Sequence, residues 1–134
     1  MAEIDYHNAH APYTDAVAHA LEVAGIEVDG WFADANDPRD SCITLARSKP
    51  GRQRVVAWTE EKGWMYGTGP ENDSLNAIYG ICDGVLPEPA EVVEAVRRCL
   101  AGDFSSTDSY TARLRDFEDD EDGFEERLAA YAKA

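Results

Sequence analysis

The runs Arg54–Thr59 (RVVAWT) and Trp64–Gly69 (WMYGTG) are rich in β-branched and aromatic residues, with only "EEKG" between them. Two strand-like runs at that separation pair antiparallel as a hairpin, which places both in one sheet. With a loop of Glu61-Lys62-Gly63, Gly63 takes the left-handed position of a bulged turn, and Trp58, Trp64 and Tyr66 share one face. A loop one residue longer moves Trp58 to the face opposite Trp64 and Tyr66. Either register makes these aromatics cross-strand packing residues, with a ligand-stacking site as the sharper alternative.

Other elements arrange themselves around this hairpin. Tyr13, Ala16, Val17, Ala20, Leu21 and Ala24 recur at helical spacing, with Pro12 suited to the first turn and Gly25 to the residue past the end. "IEVDGWFADA" and "SCITLAR" read as two strands joined by the turn-rich "DANDPRD", and "SKPGRQ" leads into the hairpin. "SLNAIYGIC" reads as a fifth strand, with a short helix as the alternative. "LPEPAEVVEAVRRCLAG" is a helix opened by proline, acidic early, basic late and stopped by Gly102. Val92, Val93, Val96, Cys99 and Leu100 form its apolar stripe.

Beyond that helix, "DFSSTDS" is linker-like. Two stripes follow at i, i+4, i+7 spacing: Tyr110, Leu114, Phe117 and Phe124, Leu128, Tyr131. The acids Glu118 to Asp122 and Gly123 separate them. The expected organisation is a domain over 1–102 and an acidic linker with an amphipathic helical tail over 103–134.

A chain of 134 residues with 44% apolar residues can bury a core of its own. Its formal charge of −15 opposes nucleic acid, membrane surfaces and anionic substrates. No apolar run approaches the ~20 residues a membrane span needs, and the N-terminus lacks the basic and apolar regions of a secretory signal. Three well-separated cysteines, Cys42, Cys82 and Cys99, suit reduced thiols, so a cytoplasmic location is expected.

From about Tyr13 to Gly102 the chain resembles an uncharacterised domain family of actinobacterial proteins. The resemblance rests on "AVAHAL", "DPRDSCITL", "AWTEEKGW" and "DGVLPEPAEVVEAVRRCLAG" in that order. It implies an α/β domain in a cytoplasmic protein, and it implies no activity or catalytic residues. The acidic tail lies outside it.

Catalytic constellations are scarce. There is no P-loop, GxGxxG, GxSxG or HExxH. His7 and His10, near Asp5, read as solvated terminal residues rather than a metal site, and "DANDPRD" lacks the glycine and distal glutamate of a calcium loop. No metal, cofactor or catalytic residue is nominated. Arg47, Lys49, Arg52 and Arg54 form the one local basic cluster, an anion-binding alternative to a plain solvated loop.

The expected architecture is of the α+β type: one mostly antiparallel sheet of four or five strands, flanked by the N-terminal and following helices, with the helical acidic tail added. Strand alternation then sorts the loops. Asp34, Asp37, Asp40, Glu60, Glu61, Asp83 and Glu88 fall at one end as an acidic rim, and the basic cluster falls at the other with Glu71 and Asp73. The leading functional expectation is a non-enzymatic accessory or regulatory module. It would bind another macromolecule, most readily a protein, through that acidic surface, the tail stripes, or both. A second copy of the chain is one such partner. The alternatives are a small-ligand sensor using Trp58, Trp64, Tyr66 and the basic loop, an enzyme with an unfamiliar site, and a DNA mimic.

Overall fold

A computed structural model describes residues 8–46, 50–71, 74–108, 110, 113–119 and 121–133. Helix α1 (Ala11–Val23) leads into strands β1 (Val28–Asp34), β2 (Asp40–Leu45), β3 (Arg52–Thr59), β4 (Gly63–Pro70) and β5 (Ala77–Gly80). Helix α2 (Pro89–Leu100), helix α3 (Phe124–Ala129) and a 3-10 turn (Ala130–Lys133) follow. The strands form one sheet in the order β1-β2-β3-β4-β5, every neighbouring pair antiparallel. This is the meander that short connections favour.

The helices form where the sequence supplies their ends. In α1 a proline occupies the first turn, and Gly25 follows the last turn at a φ of 86°. In α2, Glu88 and Glu91 form a reciprocal capping box, Pro89 opens the first turn, and Arg97 and Arg98 sit in the last. Tyr13, Val17 and Leu21 of α1 and Val92, Val96 and Cys99 of α2 are buried with Ile43, Leu45, Val56, Trp58, Trp64 and Tyr66 in one core. Both helices therefore cover the same face of the sheet.

At the hairpin, Thr59 pairs with Gly63 and Trp58 with Trp64. The connecting residues are thus Glu60-Glu61-Lys62, one earlier than expected, although Gly63 does take a positive φ of 78°. Trp58, Trp64 and Tyr66 share the core face. Trp58 and Trp64 are fully buried, and each indole N–H is used: Trp58 donates to the Val85 carbonyl at 2.6 Å and Trp64 to the Tyr13 hydroxyl at 3.0 Å. The Tyr13 hydroxyl in turn donates to the Pro87 carbonyl at 2.6 Å. These three aromatics are core residues, as cross-strand packing requires.

Two further expectations are corrected. His10 is fully buried rather than solvated; His7 lies outside the described residues. The stripe Tyr110, Leu114, Phe117 is not helical in its described residues. The amides of Leu114 and Phe117 point instead at Glu61, through its carbonyl at 2.7 Å and its carboxylate at 3.0 Å. Leu114 is exposed and Phe117 half-buried. Of the second stripe, Phe124 and Leu128 lie on α3 and enter the same core as the sheet, and Tyr131 lies on the 3-10 turn that follows.

Candidate functional site

The meander brings the β1–β2 turn, the β3–β4 loop and the exit from β5 to one end of the sheet. Asp34, Asp37, Asp83 and Glu88 are exposed there, and Asp40 and Glu61 are half-buried. The chain after β5 adds to this end. Asp108 bridges back to Gly80, the Tyr110 hydroxyl donates to the Gly63 carbonyl, and Leu114 and Phe117 dock on Glu61. That route carries the exposed carboxylates of Asp116, Glu118, Asp119, Glu121 and Asp122 to the same end.

Glu60 departs from the expected rim. It is fully buried and forms a bidentate pair with Arg39, itself fully buried: Nε donates at 2.9 Å and Nη2 at 2.7 Å, with the Arg39 backbone amide as a third donor. The other edge of the same guanidinium holds Glu125 of α3, Nη1 at 3.2 Å and Nη2 at 2.5 Å. Arg115 closes the network. It reaches Glu60 at 3.1 Å and Asp122 at 2.7 Å, and its guanidinium lies 4.0 Å from the Phe124 ring centroid. Burial alone would raise the Glu60 carboxyl, but the hydrogen bonds and charge of Arg39, with Arg115 behind them, hold it below the usual range. Burial opposes the charge on Arg39 as well, and Glu60 and Glu125 together hold it firmly protonated.

His10 lies beside this network. Its ring stacks on Trp58 with centroids 5.9 Å apart, and Nε2 donates to the carbonyls of Asp34 at 2.8 Å and Asp40 at 2.9 Å. Nδ1 is buried without a hydrogen-bond partner. Burial lowers the His10 pKa, the two carbonyls counter it in part, and Arg39 adds to the lowering. The ring is therefore neutral at pH 7. Sequence reasoning passed over Arg39, Arg115, Glu125 and the burial of His10. The available signal was slight: Arg39 is the one base in the otherwise acidic turn Asp34–Asp40.

The remaining candidates separate. Of the basic cluster, Arg47 and Lys49 lie outside the described residues. Arg52 is exposed and lies 3.3 Å from the Thr68 hydroxyl. Arg54 donates inward to the Ala46 carbonyl at 2.7 Å. All three cysteines are free thiols with pKa values raised by burial, that of Cys82 to about 12. A nucleophilic cysteine needs the opposite shift.

Cys82 borders a groove of about 450 Å³ lined also by Asp83, Glu91, Glu94, Arg98 and Ser106. An adjoining groove of about 410 Å³ shares Asp83 and Glu91 and adds Glu88, Leu114 and Arg127. Both continue the acidic end toward α2. Among the described residues no group of His, Cys, Asp and Glu is arranged to hold a metal ion, and no helix is long and apolar enough to cross a membrane.

A family model, described as a family of unknown function (DUF6292), matches residues 13–98. The chain belongs to this family. Neither a curated protein nor a solved structure matches it. The DUF6292 region spans α1 through most of α2. It contains Tyr13, Arg39, Trp58, Glu60 and Trp64, and it ends before Arg115, Phe124 and Glu125.

Proposed function

We propose that this DUF6292 protein is a non-enzymatic accessory module whose acidic sheet end binds a basic surface on a protein partner in the cytoplasm. One observation carries the reading. The chain after β5 returns to the end where the loop acids already lie, so exposed carboxylates from three separate segments, the β1–β2 turn, the exit from β5 and the tail, share one surface. Three of the nearby basic side chains are engaged internally, while Arg113 and Arg127 stay exposed beside the acids. Arg39 is buried among carboxylates, Arg115 is paired with Glu60 and Asp122, and Lys62 lies over the Tyr110 ring at 5.6 Å. Such a surface speeds encounter with a cationic partner and loses reach as salt rises. The grooves beside Asp83 and Glu91 give the same surface relief.

The test is affinity capture from the native host with two baits. One is the unaltered chain, and the other carries Asp34→Asn, Asp37→Asn, Asp83→Asn and Glu88→Gln. The expected result is a basic protein held by the first bait, released by salt and lost with the second. Equal capture by both baits, unaffected by salt, would overturn the reading.

A further inference from the structure

Helix α3 sits on the rest of the domain as a ligand sits in a socket. Its anchors are Phe124, Glu125 and Leu128, at i, i+1 and i+4, and Tyr131 of the following 3-10 turn adds a fourth, an arrangement like that of a helix laid in a groove. Phe124 stacks on Trp58 with centroids 6.3 Å apart and planes 12° apart. Leu128 is fully buried, and the Tyr131 ring lies 4.8 Å from that of Tyr13. Glu125 occupies one edge of the Arg39 fork while Glu60 holds the other.

The two carboxylates differ in kind. Glu60 is fully buried and comes from the sheet, whereas the Glu125 side chain is 36% exposed and comes from the tail. A bidentate arginine fork is selective for a planar carboxylate, and the aromatic floor beside it is selective for a ring. Socket and plug also fall on opposite sides of the family boundary: Tyr13, Arg39, Trp58 and Glu60 lie within 13–98, and α3 lies beyond it. The plug is short, with six α-helical residues and a left-handed glycine at its start, and its first amide donates to the Asp122 carboxylate at 3.1 Å. A helix of that length does not hold itself and depends on its docking site.

We propose that the socket of Arg39, Trp58 and Tyr13 is a peptide-binding site. Its ligand is a helical segment of a partner protein with an aromatic residue followed directly by a carboxylate, and an aliphatic and an aromatic anchor one and two turns on. Helix α3 is the resident ligand, displaced when the partner's segment binds. This site adjoins the acidic surface proposed above, with Asp122 and Arg115 between them, but the substitutions that test that surface leave Arg39, Phe124 and Glu125 in place, so either reading can fail alone.

The probe is a labelled peptide of residues 121–134. The full chain is given a protease site in the exposed stretch around Glu118 and Asp119, folded, and then cut. Cutting removes the advantage of tethering, so the peptide should exchange into the cut chain saturably and bind the uncut chain at least tenfold more weakly. Peptides carrying Glu125→Gln or Phe124→Ala should each bind at least tenfold more weakly to the cut chain, since each removes one half of the recognition. A folded cut chain that ignores the peptide, or binds all three peptides alike, would overturn the proposal. If the cut chain unfolds, excess peptide on the intact chain should speed hydrogen exchange of residues 124–129 and leave β3 and β4 unchanged; no change overturns it equally. A tail-exchanged dimer of the uncut chain in sedimentation would overturn the assignment to a separate partner and give the site to a second copy.

Discussion

Among the described glycines, Gly63 has the tightest surroundings. Its φ is 78°, and a Cβ built there would lie 2.5 Å from the Gly84 carbonyl oxygen. Gly63→Ala therefore meets both left-handed strain and a backbone collision, and should cost about 2–4 kcal/mol, read as a lower urea midpoint. The left-handed glycine was legible because a short loop between paired strands demands one. The burial of His10 was not, because it is set by the Asp34 and Asp40 carbonyls, 24 and 30 residues away. That burial has a pH consequence. The folded pKa of His10 lies below its unfolded value near 6.5, so the unfolded chain binds the extra proton first. Stability is then fully present above pH ~6.5 and falls as pH drops below it, by at most about 1.4 kcal/mol per pH unit. Glu60, also lowered, adds a further loss only below the ordinary carboxylate range, near pH ~4.3. Urea titrations at pH 7.5, 6.0 and 5.0 should show the decline, and His10→Gln, which can still donate to the two carbonyls, should flatten the part between 7.5 and 5.0. An unchanged slope in that variant would show that His10 does not titrate differently on folding.

Among the elements, the helices and strands that carry their own punctuation were read closest to their observed bounds. Helix α2 has its capping glutamate, prolines and terminal arginines within its own sequence, and its length follows from them. The strands carry β-branched and aromatic runs between turn residues. The segment from Tyr110 to Phe117 has helical spacing and no helix in its described residues, because Glu61 offers its amides a carbonyl and a carboxylate that a solitary turn of helix cannot match. The same loop residue order hid the Arg39–Glu60 pair, since a glutamate in a hairpin loop ordinarily faces water. Helix α3 had a legible stripe, and its partner surface was not legible. Leu128 is fully buried, so Leu128→Ala should cost about 2–5 kcal/mol, read by thermal or urea unfolding. Alanine at exposed Leu114, from the stripe that does not form a helix, should change stability by under about 0.5 kcal/mol. A loss at Leu128 as small as that at Leu114 would mean that α3 does not belong to the core.

For the whole molecule, charge and topology act together. A net charge of −15 spread evenly would be a modest, general repulsion. The meander concentrates much of it at one end, where Asp34, Asp37, Asp83 and Glu88 meet Asp116, Glu118, Asp119, Glu121 and Asp122 with the Arg39 and Arg115 guanidinium groups already paired. The sorting of loop acids followed from strand alternation and was legible; the return of the tail to the same end depends on contacts with Glu61 and Gly63 and was not. The arrangement predicts how stability responds to salt. Raising ionic strength from 0.01 M to 0.15 M shortens the screening length from about 30 Å to about 8 Å, which weakens repulsion among exposed carboxylates. The buried Arg39–Glu60 pair is screened much less, because neither side chain touches solvent. Exposed attractions also weaken, but few oppose the trend: Arg113–Glu61 at 3.7 Å is loose, and exposed pairs of this kind contribute little. The melting temperature should therefore rise by several degrees over that range, consistent with a relief of about 1 kcal/mol in a domain of this size. Replacing Asp34, Asp37, Asp119 and Glu121 by their amides should raise the low-salt melting temperature and reduce its dependence on salt. A melting temperature that falls as salt is added would mean that the pairs of Arg113, Arg115 and Glu125 outweigh the repulsion, and that this end of the sheet holds itself together by attraction.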